Sequence, residues 1–340
     1  MEINIDKYHD LILSRQKRKV EYSADKDFNQ WKIDLKDAFN LVLKIDDIKS
    51  HLNGNRYIFE YEQEFENFTL IRFIVETEID SFIPCHLLIP KQQKEKYPLA
   101  ITLQGHDNDH IYSAKGDMIK PEEYSYSPYG ELALACVERG YAALCVEMRG
   151  MGELHRPSRR GRAKVRCGFA SFQSMLLGRC LSGERVWDVS KVIDVMDRFP
   201  QVDLDNIIAI GHSSGAGNIA YYLGAFDERI KLTVSSSGFC NYKDSIFDSW
   251  QCLCNYIPDV VNWFEMDDLV GLIADRKLLI VTSSEDERLP VESVKKSFTK
   301  IEEIFAKNNN ASACKLIVND GERKLNVDSI FAGIEELNKK

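Results

Sequence analysis

Short apolar runs alternate with amphipathic segments along the chain from residue 98 onward. Runs of five to seven apolar residues are typical of strands that are covered on both faces of a sheet. They predict strands over 98–104, 141–147, 207–211, 230–236, 277–283 and 313–318. The segments between them predict helices over 129–139, 183–198, 214–224, 291–306 and 327–338. This alternation predicts an α/β fold with a mostly parallel central sheet and helices on both faces.

The first ninety residues follow a different pattern. Apolar residues spaced along one face predict helices within residues 1–50, and Asn53-Gly54 marks a turn after them. Three strand-like runs follow, over 56–64, 67–77 and 80–90.

Residues 240–272 interrupt the alternation, because their aromatic and acidic residues have no clean period. We interpret them as an insertion near the rim of a site. The predicted organisation is a helical N-terminal extension over 1–55 and a main domain over 56–340, with a cap-like insertion at 240–272.

Composition narrows the class of protein. A chain of 340 residues, 44% of them hydrophobic, is long enough for one sizeable core. Its net charge of −9 disfavours binding to nucleic acid or to an anionic membrane surface. The N-terminus has no apolar stretch of the signal-peptide kind, and no apolar run approaches a membrane span. We therefore expect a cytoplasmic protein that acts on a small molecule, with a homo-oligomer left open.

Nine cysteines are scattered along the chain without a repeating spacing. Cys252 and Cys254 form a C-x-C pair with Cys240 upstream, but no second C-x-x-C and no nearby histidine completes a zinc set. Free thiols in a reducing compartment fit this pattern. The sequence therefore predicts buried thiols, no metal and no cofactor.

A candidate nucleophile follows the strand at 207–211. Gly211-His212-Ser213-Ser214-Gly215 is a G-x-S-x-G motif between a predicted strand and a predicted helix. That context is typical of a nucleophile elbow, in which a sharp turn projects the serine hydroxyl above the sheet. The alternative is a tight turn with an incidental serine.

Acyl transfer also needs donors for the negative charge that develops on the carbonyl oxygen. The backbone N–H of Ser214, next after the nucleophile, is one candidate. The other is the N–H of His106, in the loop after strand 98–104.

Five stretches together resemble the α/β-hydrolase superfamily, close to its acetyl-xylan-esterase and dienelactone-hydrolase-like branch. They span roughly residues 80–320 and read LLIP at 87–90, YPLAITLQGH at 97–106, RGYAALCVEMRGMGE at 139–153, GHSSGAG at 211–217 and LLIVTSSEDERLPVESV at 278–294. The resemblance implies a serine acyl hydrolase with Ser213 as nucleophile. It also implies that Asp286 is the orienting acid, whereas a solvated acidic loop is the alternative.

The histidine of that family is missing. It should follow the last strand, where the chain reads Asn319-Asp320-Gly321-Glu322-Arg323, so the resemblance places Glu322 at its position. All seven histidines precede Ser213. A glutamate, with an ordinary pKa near roughly 4.3, is a weaker base for an alcohol than histidine.

Three interpretations remain open. Another group could act as the base, such as His106, His110 or His155; His212 should point away from the serine. Alternatively, the fold binds a ligand and does little chemistry. A third interpretation is a lyase, cyclase or acyl-transfer reaction that uses only the oxyanion hole.

Two further segments are candidates for substrate contact. Residues 149–166 are strongly basic, and Arg159 and Arg160 could clamp an anionic group, although a solvated basic loop is the alternative. Arg149 fits a structural role at the end of its strand. Trp250, in the aromatic insertion, could line an apolar pocket or simply pack within the insertion.

Overall fold

A nine-stranded sheet organises the chain in the computed structural model. The structure describes residues 4–50, 56–92, 94–103, 105, 130–154 and 166–339. The strands are β1 (Arg56–Glu64), β2 (Phe68–Glu78), β3 (Ser81–Pro90), β4 (Tyr97–Leu103), β5 (Ala142–Val146), β6 (Val202–His212), β7 (Ile230–Ser236), β8 (Lys277–Ser283) and β9 (Cys314–Asn319). All nine correspond to strands predicted from the sequence, with shifts of one or two residues at most ends.

The sheet order is β1-β2-β3-β5-β4-β6-β7-β8-β9. Strands β1, β2, β3 and β5 pair antiparallel, whereas β5, β4, β6, β7, β8 and β9 pair parallel. The carboxyl ends of β4, β6, β8 and β9 therefore meet at one edge of the sheet, and side chains on the loops that follow them can form a site.

Helices cover both faces of this sheet. The described helices are α1 (Ile5–Arg15), α2 (Phe28–Leu43), α3 (Ile45–Ser50), α4 (Gly130–Glu138), α5 (Arg166–Leu176), α6 (Leu181–Ile193), α7 (Gly217–Phe226), α8 (Val291–Lys307) and α9 (Val327–Asn338). Apolar residues of α4 and α9 form one core cluster, and those of α2, α6, α7 and α8 form another. Among these helices, none combines the length and the apolar character that a membrane crossing requires.

Two helices differ from the sequence-based expectation. The sequence patterns predict no helix at α5, which begins at the end of the basic segment 149–166. Helix α7 begins at Gly217 rather than at Ser214, since residues 214–216 form a turn. This turn separates the candidate nucleophile from the regular helix.

The N-terminal helices pack against the 240–272 insertion. Trp31 and Leu35 of α2 lie against Gly271, where an added Cβ would come within 2.5 Å of the Trp31 ring. Arg18 donates to a Glu265 carboxylate oxygen at 2.7 Å. The insertion contains only short 3-10 turns and one π-helical turn, and its residues join the larger of the two core clusters. The division into extension, main domain and insertion stays a prediction.

A buried charge network joins the first strands to α6. Arg149 donates to Glu78 at 2.7 Å and to both carboxylate oxygens of Asp188 at 2.7 and 2.8 Å. Asp188 is almost fully buried and also accepts a hydrogen bond from Thr77 at 2.5 Å. The structural role expected for Arg149 is therefore confirmed.

Replacing Arg149 tests how much this network contributes. We expect Arg149→Leu to lower the free energy of unfolding by about 3–5 kcal/mol, because Asp188 loses its buried cation. Urea unfolding measures the change. The control is Lys36→Ala, which removes an exposed pair with Glu228 and should change stability by less than about 1 kcal/mol. An equal effect of the two variants would contradict the prediction.

Candidate active site

Ser213 stands on a sharp bend directly after β6. Its φ angle of 69° lies in the left-handed region, which costs a residue with a side chain about 1–2 kcal/mol. The bend is held from both sides, because the Ser213 N–H donates to the Ser236 carbonyl at 2.8 Å and the Gly217 N–H donates to the Ser213 carbonyl at 2.7 Å. The side chain is half-buried. This geometry is that of a nucleophile elbow.

Two glycines make room for the bend. A Cβ on Gly211 would lie 2.1 Å from the Ala216 carbonyl oxygen, so no larger residue fits there without displacing the turn. A Cβ on Gly105 would lie 2.8 Å from the Ser213 hydroxyl oxygen. Gly105, two residues after the end of β4, is thus packed against the Ser213 hydroxyl. We expected the loop that supplies an oxyanion donor on this side.

The predicted oxyanion donors can be placed only in part. No acceptor among the described residues takes the backbone N–H of Ser214, so this donor is available to a ligand. His106 lies outside the described residues, and its role stays a prediction.

Asp286 follows β8 and is 6% exposed. Its Oδ1 atom accepts hydrogen bonds from the N–H groups of Arg288 at 3.0 Å and Leu289 at 3.3 Å. Its Oδ2 atom is buried without a hydrogen-bond partner. Burial raises the pKa of this carboxyl, although the two N–H donors and the charge of Arg323 act in the opposite direction. A buried acceptor of this kind is able to receive one more donor.

The loop after β9 is tied to the Asp286 loop by three hydrogen bonds. Ser284 N–H donates to the Asn319 carbonyl at 2.8 Å, Glu285 N–H donates to the Gly321 carbonyl at 3.0 Å, and Gly321 N–H donates to the Ser284 hydroxyl at 2.9 Å. These bonds hold residues 319–321 beside residues 284–285, and the resemblance places the family histidine directly after them, at Glu322.

Glu322 stands where the resemblance places the histidine, and Arg323 is the next residue in the chain. Both line a cleft of about 400 Å³ together with Asp286. The Glu322 side chain is exposed, and the structure shows no hydrogen bond from it to Ser213 or Asp286. Arg323 is half-buried, and its charge acts on both Asp286 and His212. Sequence reasoning assigned no role to Arg323, although it directly follows Glu322 in the stretch compared with the family.

His212 faces away from the nucleophile, as expected. Its Nδ1 atom lies 2.9 Å from the Ser236 hydroxyl on β7. Burial, and secondly the charge of Arg323, lower the pKa of His212 to about 4, so the imidazole is neutral near pH 7.

No described histidine contacts the Ser213 hydroxyl, whose hydrogen bond in the structure comes from Gly215 N–H at 3.5 Å. The other base candidates, His110 and His155, lie outside the described residues together with His106. The proton acceptor is therefore not assigned by the described part of the chain.

The predicted substrate contacts remain predictions. Arg159 and Arg160 lie outside the described residues. Trp250 is 79% exposed on the insertion, so it does not line an enclosed pocket in this conformation. Its neighbour Gln251 is buried and donates to the Arg288 carbonyl at 3.2 Å. This contact joins the insertion to the Asp286 loop and agrees with the expected position near the rim.

Comparisons with known proteins agree with this geometry. Residues 121–272 match a family model described as alpha/beta hydrolase fold. The chain is 26% identical over 242 residues to YtaP of Bacillus subtilis (strain 168), a protein provisionally named a hydrolase; the match covers 69% of this chain and 75% of YtaP.

Solved structures show the same architecture. A provisionally named acetyl xylan esterase from Bacteroides fragilis superposes with a TM-score of 0.76 at 17% identity, covering 94% of this chain and 82% of that one. A methylesterase superposes with a TM-score of 0.69 at 16% identity, covering 98% and 67%. Acetyl xylan esterase 1 from Thermoanaerobacterium sp. gives 0.55 at 16% identity, covering 99% of both chains.

The protein therefore has the α/β-hydrolase fold, as the sequence motifs implied. The solved structures of similar fold include acetyl xylan esterases.

The raised pKa of Asp286 predicts a pH effect on stability. Above about pH 4 the unfolded carboxyl loses its proton before the folded one, so the folded state is penalised as pH rises. The difference in unfolding free energy, wild type minus Asp286→Asn, should therefore fall as pH rises. Urea unfolding at several pH values measures it. A difference that grows with pH would show that Arg323 outweighs burial.

Proposed function

We propose that this protein is a carboxylic-ester hydrolase-like enzyme that transfers an acyl group from a small ester, thioester or lactone to Ser213. The hydroxyl attacks the carbonyl carbon, the alcohol or thiol leaves with a proton, and water then releases the acid from the acyl-enzyme. The observation that carries the proposal is the left-handed bend at Ser213, which holds a half-buried hydroxyl at the carboxyl edge of the sheet.

The backbone around Ser213 supports stabilisation of the oxyanion. The Ser214 N–H has no acceptor among the described residues and directly follows the nucleophile. The His106 N–H is proposed as the second donor, because Gly105 packs against the hydroxyl just before it. Two such donors fixed in advance are typically the largest contribution to acyl-transfer catalysis.

Asp286 is proposed as the orienting acid. Its buried Oδ2 atom has no partner, and hydrogen bonds between the two loops hold it beside residues 321–323. In the usual triad this oxygen accepts the imidazole N–H.

Glu322 is the positional candidate for the base, and His106, His110 and His155 are the other candidates. A carboxylate takes a proton from an alcohol less readily than an imidazole, so we expect slow turnover unless a histidine reaches Ser213. Loss of a triad member typically leaves residual catalysis from the oxyanion hole and binding.

A second candidate function is favoured by Arg323. An arginine side chain has no acceptor atom and so cannot act as the base. The charge of Arg323 acts on both Asp286 and His212. A fixed cation there suits a ligand with a carboxylate or phosphate group. Arg159 and Arg160 are proposed as further contacts to such an anion. The chain would then bind an anionic small molecule or catalyse a non-hydrolytic step at the oxyanion hole.

Labelling of the nucleophile separates the two functions. A fluorophosphonate probe should modify Ser213 and the protein should hydrolyse p-nitrophenyl acetate, because the bend presents the hydroxyl at the carboxyl edge of the sheet beside the Ser214 N–H. Mass spectrometry locates the label, and Ser213→Ala is the control that should lose both signals. A wild-type protein that gives neither label nor turnover would support the binding function instead.

Restoring an imidazole tests which group is missing. We expect Glu322→His to raise kcat/KM for p-nitrophenyl acetate by at least about tenfold, since the new N–H can donate to the Asp286 Oδ2 atom. The control is Lys324→His, which adds the same group at an exposed position two residues further along. The Ser213→Ala, Glu322→His double variant should lose the gain. No gain from Glu322→His would mean that the pocket differs from an esterase site in more than its base.

A further inference from the structure

Three cysteine side chains converge where α5 meets the insertion. Cys167 lies in α5, and Cys252 and Cys254 lie on the insertion at a short 3-10 turn. Their sulfur atoms all lie within 4.8 Å of one another, and the Cys167 and Cys252 sulfurs are 2.8 Å apart. Cys167 and Cys254 are buried, whereas Cys252 is half-buried. In the sequence, Cys240 is the cysteine that precedes Cys252 and Cys254. In the fold, Cys167 is the cysteine that joins them.

A buried arginine accompanies the three sulfurs. Arg185 of α6 is 0% exposed, and its Nε and Nη2 atoms donate to the Arg149 carbonyl at 3.0 and 2.7 Å. Its Nη1 atom is buried without a hydrogen bond of normal geometry. The three cysteines act on this guanidinium, and the Cys254 thiol is close enough to interact with it directly.

Arg185 differs in this respect from the other deeply buried arginines. Arg72 pairs with Glu60 and Glu153, and Arg149 pairs with Glu78 and Asp188. No carboxylate pairs with Arg185 among the described residues. A buried cation without a nearby anion costs several kcal/mol, so the cysteine cluster is where compensating negative charge is expected.

We propose that Cys167, Cys252 and Cys254 bind one soft divalent metal ion, such as Zn²⁺, as thiolates, with Arg185 balancing the charge of the complex. Three thiolates around a divalent ion carry one net negative charge, which matches the single positive charge of the guanidinium. Binding releases the three thiol protons to solvent. A water molecule takes the fourth, open position of the tetrahedron.

The geometry requires only small movements. Zn–S bonds of about 2.3 Å in a tetrahedron place the sulfur atoms about 3.8 Å apart. The Cys167 and Cys252 sulfurs would separate by about 1 Å from their present distance, and the half-buried position of Cys252 allows this shift. The bound ion would join α5 to the insertion, whose Gln251 contacts the Asp286 loop.

A disulfide between Cys167 and Cys252 is the competing outcome. It would leave a neutral bridge beside Arg185 and would not use Cys254. Three thiolates without a metal would carry three negative charges within 4.8 Å, an arrangement that repulsion disfavours. A metal uses all three sulfurs and leaves the charge of Arg185 balanced.

Metal binding is measured directly on the full-length wild-type protein. The reduced, chelator-treated protein is titrated with Zn²⁺, and then with Co²⁺, which gives a thiolate charge-transfer absorption when it binds to cysteine. We expect one equivalent of either ion to bind, with loss of three reactive thiols to a thiol reagent.

Two variants locate the site. Cys252→Ser, at the half-buried position, should weaken binding by at least about 100-fold and remove most of the charge-transfer band. Cys240→Ser changes a buried cysteine outside the cluster and should bind as the wild type does. A wild-type protein that binds no Co²⁺ through thiolate when reduced, or that binds equally well after Cys252→Ser, would overturn the proposal. A Cys167–Cys252 disulfide in a protein that binds no metal after reduction would overturn it as well.

Discussion

The left-handed bend at Ser213 is the constraint on which the candidate site depends. It is stable only because β7 accepts its N–H, the start of α7 donates to its carbonyl, and glycines stand where a Cβ would collide. The parallel pairing of β4, β6, β7, β8 and β9 brings their carboxyl ends to the same edge as this turn. The packing of the sheet therefore offsets the conformational strain of the left-handed residue Ser213.

Charge around the site departs from that of a serine hydrolase with an Asp-His pair. Asp286 lies directly after β8, and its Oδ2 atom has no hydrogen-bond partner. An acid that orients an imidazole needs such an oxygen to accept the imidazole N–H. Arg323, rather than an imidazole, supplies the nearby positive charge. A guanidinium cannot take a proton from the serine, but its positive charge attracts a carboxylate or a phosphate. The site that resembles an esterase therefore also favours an anionic ligand. The esterase-like proposal rests on the bend at Ser213, whereas the ligand-binding alternative rests on the charge of Arg323.

Helix α2 and the insertion contribute side chains to the same core cluster as the sheet. Trp31 and Leu35 pack on Gly271, and the insertion also contacts the Asp286 loop through Gln251. The three-sulfur cluster with Arg185 lies where the insertion meets α5 and α6.

The sequence by itself determined all nine strands, the G-x-S-x-G motif after β6 and the absence of histidine beyond Ser213. Those features are local, because periodicity and a turn motif depend only on residues that are close together in the sequence. The role of Asp286 as the acid stays a prediction from the family resemblance. Only the tertiary structure decided that Arg323 acts on Asp286, that the Asp286 Oδ2 atom lacks a partner, and that Cys167 rather than Cys240 joins Cys252 and Cys254. Each of these depends on side chains from segments far apart in the chain, and no spacing along one strand or helix specifies which of them will meet.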